Sequence, residues 1–356
     1  MNRIILVGNG FDLAHGLKSS YNDFVLDLLK QKINQAVQEG LKNNFTSHKQ
    51  GYYYDDILLS VYIPNFSDIQ TFLKSILSIK EIEKLKEFTK NGSIELKIKS
   101  QILNNFFENW SDFEKSFFEC LVRTFRNKGN IQELNNEFSL IRKHLKDYIF
   151  KVQINVENSD IDKNRIDKLI KIFSKGDLKE VLFLSFNYTR TLGYYFHKIS
   201  KTIKSNIIYL HGNVNDIKEE DELIFGYDND LDDNYNAIIS DSKIEYIDFF
   251  KSVLYSNTTS KRELIDFLGN DNFEVFTFGH SFEISDFTIL REIFLHTNCC
   301  KIKIYYHPEL KSKDYNKKSK LLRLMLRDSI GDFSKLVERN QSEPMPILIS
   351  KYKDIG

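Results

Sequence analysis

The chain has 356 residues, 41% of them hydrophobic and 28% charged, with Lys plus Arg equal to Asp plus Glu at 50 each. Such a composition excludes a disordered chain and fits one large folded domain with an insertion, or two domains. The neutral balance gives no electrostatic pull toward nucleic acid or an anionic membrane, so neither is an expected partner.

The first element is the apolar run Ile4 to Val7, which breaks on Gly8-Asn9-Gly10 and continues Phe11-Asp12-Leu13-Ala14-His15-Gly16. This reads as a buried strand, a tight turn and a helix start. Lys30 to Tyr62 is polar and mixed, and is expected to be a helix followed by an irregular loop. From about residue 68 to 173 the text changes to long stretches with apolar residues at three- and four-residue spacing, such as FLKSILSIKEIEKLKEF and NEFSLIRKHLKDYIF. Strand-like runs then return: Val181 to Phe186, Ile207 to Leu210, Leu223 to Phe225, Val275 to Phe278 and Ile302 to Tyr306. Each is apolar almost without alternation, the signature of a parallel strand covered on both faces. A last helix (SKLLRLMLRDSIGDFSKLVERN) and a short strand (PILISKY) are expected at the end. Strands separated by a helical block predict an α/β fold. Its core would be a Rossmann-like, mainly parallel sheet flanked by helices, residues 1–67 and 174–356, with a large all-helical insertion at 68–173.

Several strand runs end in glycine or a polar residue, where open α/β sheets bind ligands. Gly8, Asn9 and Gly10 allow close approach of a backbone to a phosphate, or else form a plain turn capped by Asn9 or Asp12. The G-x-G-x-x-G spacing is not met, since the third glycine is Gly16. Asn187 ends one run and caps a helix or touches a ligand. His211-Gly212 ends the next, and Gly279-His280-Ser281 another, with Asp286 a turn and a half onward. Gly279 and Ser281 suit a ribose or phosphate, or a helix start capped by Ser281. There is no P-loop, no H-E-x-x-H and no G-x-S-x-G. Cys120, Cys299 and Cys300 form no C-x-x-C pair, and the histidines show no metal-ligand spacing with them, so no metal is expected. Trp110 with Phe113 and Glu114 reads as helix packing. Few cysteines, no signal peptide and no membrane-spanning run predict a cytoplasmic protein.

GNGFDLAHGL with Tyr21 and Phe24, the Trp110 to Glu114 run, FNYT and LHG resemble the AbiH family of bacteriophage abortive-infection proteins over most of the chain. A more distant resemblance is to sirtuin-like NAD-binding domains, carried by Gly8-Asn9-Gly10, His15-Gly16-Leu17, Phe186-Asn187-Tyr188, Leu210-His211-Gly212 and Gly279-His280-Ser281. The chain lacks the zinc-binding cysteines of deacylating sirtuins, and Tyr188 and Thr189 stand where an acidic residue commonly follows the asparagine. The resemblance implies an antiphage effector that hydrolyses the nicotinamide–ribose bond of NAD, with NAD as substrate. It implies Asn187 and His211 as catalytic residues. Gly8, Asn9, Gly10, Phe11, Asp12, Gly16, Gly212, Gly279 and Ser281 would line the nucleotide site. The competing expectation is a non-catalytic nucleotide sensor that switches a partner. Because a free NAD hydrolase would poison its host, gating of the pocket by the helical insertion or by self-association is expected, and the expected partners are a second copy of the chain, a partner defence protein or a phage trigger.

Overall fold

The computed structural model describes residues 1–42, 51–64, 68–103, 109–154, 163–214, 223–241 and 243–348. Compact packing divides the chain into two units, Met1–Ser19 with Ile149–Gly356, and Ser20–Tyr148.

The first unit is built on a five-stranded parallel sheet. Its strands are β1 (Asn2–Val7), β5 (Glu180–Ser185), β6 (Ser205–Tyr209), β7 (Phe273–Phe278) and β8 (Cys299–Tyr305), in the order β6-β5-β1-β7-β8. Side chains alternate between two covered faces in the inner strands β1, β5 and β7, which are almost wholly buried, while the edge strands β6 and β8 keep exposed residues such as Asn206 and Lys301. Ile4 and Leu6 pack with Leu264 and Phe267 of helix Ser260–Asn270, Leu290 of helix Phe287–Phe294 and Leu322 of helix Ser312–Met325. Ile5 and Val7 pack with Phe11, with Phe173 of helix Lys163–Ser174, and with Leu192 and Tyr195 of helix Thr191–Ile199. The α/β, mainly parallel expectation holds. At the sheet's amino edge the buried Arg3 donates from Nε to Glu274 Oε1 at 2.9 Å and from a terminal nitrogen to the Phe173 carbonyl at 2.9 Å. It thereby satisfies the carbonyl end of the helix that brings the chain back into the core.

The order places β1 at the centre, with successive strands added first on one side and then, at β7, on the other. The carboxyl ends of β1 and β7 therefore flank the switch point of the sheet.

The second unit is not all-helical. Beside helices Tyr21–Lys42, Ile69–Ser78, Ile82–Lys90 and Trp110–Arg126 it carries an antiparallel sheet of β2 (Gly51–Asp55), β3 (Leu59–Pro64) and β4 (Glu95–Ile98). The expected irregular loop is thus the β2–β3 hairpin, and β4 interrupts the expected helical block. Tyr21 and Phe24 each lie with ring centroids 5.3 Å from Trp110, so the aromatic residues of the sequence pattern form packing. Asn109 caps helix Trp110–Arg126 by accepting from the Asp112 amide at 3.0 Å. Asn109→Ala is expected to cost about 1 kcal/mol, read as a lower denaturant midpoint with unchanged slope.

Two further expectations are corrected. Leu223 to Phe225 is buried but belongs to no strand; Ile224 donates its amide to the His211 carbonyl, and only an isolated bridge, Tyr227 to Phe250, follows. The final helix is Ser312–Met325, ending before the expected run does and giving way to short 3₁₀ turns. Pro346 to Leu348 form no strand, and the rest of the expected final strand lies outside the described residues. Among the described residues no helix is long and apolar enough to cross a membrane.

Candidate functional site

At the switch point, the turn after β1 and the turn after β7 lie backbone against backbone. The Gly10 amide donates to the Gly279 carbonyl at 2.9 Å, and the Gly8 amide to the Phe278 carbonyl at 3.1 Å. A Cβ on Gly8 would lie 2.7 Å from the His280 Cα, and one on Gly10 would lie 2.8 Å from the Gly279 Cα. The glycines are required by this approach of two loops. Gly8 is the residue before helix Asn9–Ala14, and no side chain caps it. Asn9 instead accepts from the Ser19 hydroxyl at 2.5 Å. The Phe11 amide returns to the Gly8 carbonyl at 2.8 Å. The amides of Gly8, Gly10 and Phe11, which a phosphate could have used, are therefore already bonded within the protein.

The other predicted residues divide. Gly16 is exposed at the end of that helix, with φ +84°, and Gly212 makes a turn with φ +82°. Phe11 packs on His15 and Tyr195. His15 is a core group: Nδ1 meets the Phe11 carbonyl at 2.6 Å and Nε2 the Tyr195 hydroxyl at 2.7 Å. Burial lowers its pKa to about 4. Ser281 is exposed and caps no helix, because the next turn, Ile284–Asp286, begins later and has no side-chain cap.

Asn187, Asp12, His211, His280 and Asp286 are buried or nearly so at the carboxyl ends of the strands. The Asn187 amide nitrogen donates to the Gly8 carbonyl at 3.0 Å, tying the end of β5 to the turn after β1. Asp12 accepts from the Thr189 hydroxyl at 2.7 Å.

The charged centre is Asp286. Its Oδ1 lies 2.8 Å from the Lys251 ammonium and 3.4 Å from His211 Nε2, and its Oδ2 lies 3.6 Å from His280 Nε2. Although burial opposes ionisation, the Lys251 charge and the His211 hydrogen bond hold this carboxyl well below the usual carboxylate range. Lys251 is wholly buried in the short helix Lys251–Leu254. His280 is fixed in one tautomer: its Nδ1 accepts the Phe282 amide at 3.0 Å, so in the neutral ring Nε2 carries the hydrogen toward Asp286. Phe282 reaches that position with φ +61°, a strained conformation for a buried aromatic residue. Burial lowers the His280 pKa to about 4, and burial with the Lys251 charge lowers that of His211. Both rings are neutral at pH 7. His211 Nε2 also meets the Tyr255 hydroxyl at 3.1 Å, and the Phe186 ring stands edge-on to both imidazoles.

Chemically, this is a neutral imidazole beside a carboxylate, which can take up a proton transiently and pass it on. Among the described residues no group of three or more His, Cys, Asp or Glu is arranged to hold a metal ion. The cation beside Asp286 is the lysine. Sequence reasoning missed Lys251 and Tyr255, which sit in no strand-end pattern.

The family model for bacteriophage abortive infection AbiH matches residues 4–307. Comparison with curated proteins returns no match.

Proposed function

The chain belongs to the bacteriophage abortive infection AbiH family, which supports a role in phage abortive infection, and we propose that it acts there by hydrolysing the nicotinamide–ribose bond of NAD. The supporting observation is the buried His211–Asp286 pair, set beside Asn187 at the switch point of a Rossmann-like sheet. In this reading the bond from ribose C1′ to the pyridinium nitrogen breaks, and its electron pair leaves with nicotinamide. A ribosyl cation develops, and water adds to C1′. His211 accepts the proton of that water, and Asp286 stabilises the imidazolium formed. Asn187 orients the ribose or the attacking water through its amide. The products are nicotinamide, ADP-ribose and one proton.

A specific observation favours the non-catalytic alternative. His211 Nε2 already has the Tyr255 hydroxyl and Asp286 beside it, and the ring also bonds the Phe186 backbone. A ring so engaged could serve to hold a nucleotide for signalling to a partner protein.

The test is NAD loss, followed with purified protein and in phage-infected cells. On the hydrolase reading, wild type consumes NAD, while Asn187→Ala and His211→Gln each reduce turnover at least about 100-fold, as expected for removal of an acid–base group, and keep a cooperative melt. Bound NAD that survives long incubation intact in the wild type supports the sensor reading instead. If both variants turn over NAD at the wild-type rate, the catalytic assignment is wrong.

A further inference from the structure

Asp12 is 1% exposed, and the described residues offer no hydrogen-bond partner to its Oδ1. Its Oδ2 accepts from Thr189, whose hydroxyl lies 3.1 Å from that of Thr191. The groups that act on it, Thr189, Thr191 and Asn187, are all uncharged, and among the described residues no ammonium or guanidinium acts on it. The nearest titratable neighbour along its own chain, His15, is held neutral between Phe11 and Tyr195. A carboxylate in such a place is unfavourable. An asparagine of the same shape would serve packing as well without the cost of burying a charge.

We propose that Asp12 is a positioning residue of the site, whose buried carboxylate orients the Asn187 amide and the Thr189 hydroxyl for the ligand. The geometry gives the reason. The Asn187 amide nitrogen faces the Gly8 carbonyl, and the side chain also acts on Asp12. Two electron-rich groups both draw the NH2 end inward. The carbonyl end of Asn187 is thereby turned away from them, as an acceptor for a ligand that presents a hydroxyl or an amide hydrogen. A ribosyl hydroxyl or a carboxamide supplies such a donor. A neutral residue at position 12 would release this choice of amide orientation. The inference rests on the placement of Asn187 in the proposed site, but not on hydrolysis of NAD.

Burial raises the Asp12 pKa to about 6 from an ordinary value of 3.8. The folded state then binds more protons than the unfolded chain between those values, so this group's contribution to stability falls as pH rises from 3.8 to about 6. Its penalty is fully present at pH 7. Asp12→Asn removes it.

The experiment measures Tm against pH, protection of the host against phage, and NAD consumption, for wild type and Asp12→Asn. The expected result is a Tm above wild type by a few degrees at pH 7, a gap that closes as pH falls below 6, and at least a tenfold loss of protection. Thr189→Ser, which keeps the hydroxyl, retains protection, and Thr189→Val loses it; this pair carries the test should Asp12→Asn fail to fold. A lower Tm for Asp12→Asn at pH 7, or protection equal to wild type, overturns the proposal and makes Asp12 a structural tie. If wild type protects without consuming NAD while Asp12→Asn does not protect, the hydrolase reading fails and the role of Asp12 stands. If wild type consumes NAD and Asp12→Asn does so equally, the reverse holds.

Discussion

Asp286→Asn is expected to lower folding stability by about 3–5 kcal/mol, the usual consequence of removing one partner from a buried ion pair. The substitution keeps the shape of the side chain and deletes its charge. Lys251, wholly buried, then loses the carboxylate 2.8 Å from its ammonium. Asp228 responds to the Lys251 charge, but burial raises its pKa and it is already bonded to Tyr235, so it is a poor substitute. Lys251→Met alone leaves Asp286 with two neutral imidazoles. The double variant Lys251→Met/Asp286→Asn removes both charges together and should recover much of the loss, giving a coupling of about 2–3 kcal/mol. Urea denaturation of the four proteins measures it. If Asp286→Asn lies within about 0.5 kcal/mol of wild type, the range of an ordinary surface change, Asp286 does not neutralise Lys251.

The same cluster sets a pH dependence opposite in sign to that of Asp12. His280 stays neutral in the fold down to about pH 4, whereas in the unfolded chain it takes up a proton near 6.5. The unfolded state therefore binds more protons between these values, and this contribution to stability is lost as pH falls from 6.5 to about 4. Asp286, held below the usual carboxylate range, adds stability above about pH 3.8 that is lost only in stronger acid. Only the difference between Asp12→Asn and wild type isolates the opposing term.

How far the sequence reveals this arrangement depends on how local each signal is. β1, β5 and β7 are visible because burial on both faces removes alternation, and six successive buried residues such as Asn2–Val7 leave little else to form, whereas the edge strands β6 and β8 show through their shorter apolar stretches. Leu223 to Phe225 carries the same signal without a ladder, because an apolar run reports burial and not the partner of its backbone. Strand β4 fails in the other direction: four half-exposed residues, Glu95–Ile98, carry too short an alternation to stand out between helices. Asn187 and His211 are legible as polar residues where apolar runs stop. Lys251 is not, since a lysine after Phe249-Phe250 reads as a solvated side chain. What buries it is Asp286, 35 residues onward along the chain. Pairings of that kind need the fold to bring them together.

Gly279→Ala is expected to cost about 3 kcal/mol, and a second glycine isolates the reason. Gly279 has φ +67°, a conformation that costs an L-residue about 1–2 kcal/mol. Its Cβ would also lie 2.1 Å from the Phe11 amide nitrogen and 2.4 Å from the Gly10 carbonyl carbon, both backbone atoms that cannot turn aside. Relief requires the turn after β7 to leave the turn after β1, which breaks the Gly10 to Gly279 hydrogen bond, worth about 1 kcal/mol net. That movement also draws His280 away from Asp286 and Gly8 away from Asn187. Gly92 has a comparable φ of +76° with nothing within 4 Å of the added atom, so Gly92→Ala carries the conformational term alone. The difference between the two losses, measured by denaturation, is the free energy of holding the two loops together. A ligand-driven need for glycine predicts something else: both substitutions cost about the same in the free protein, and only Gly279→Ala weakens nucleotide binding. A large difference without nucleotide makes the double glycine first a device for closing the switch point, with any ligand contact resting on Asn187, His211 and the charges behind them.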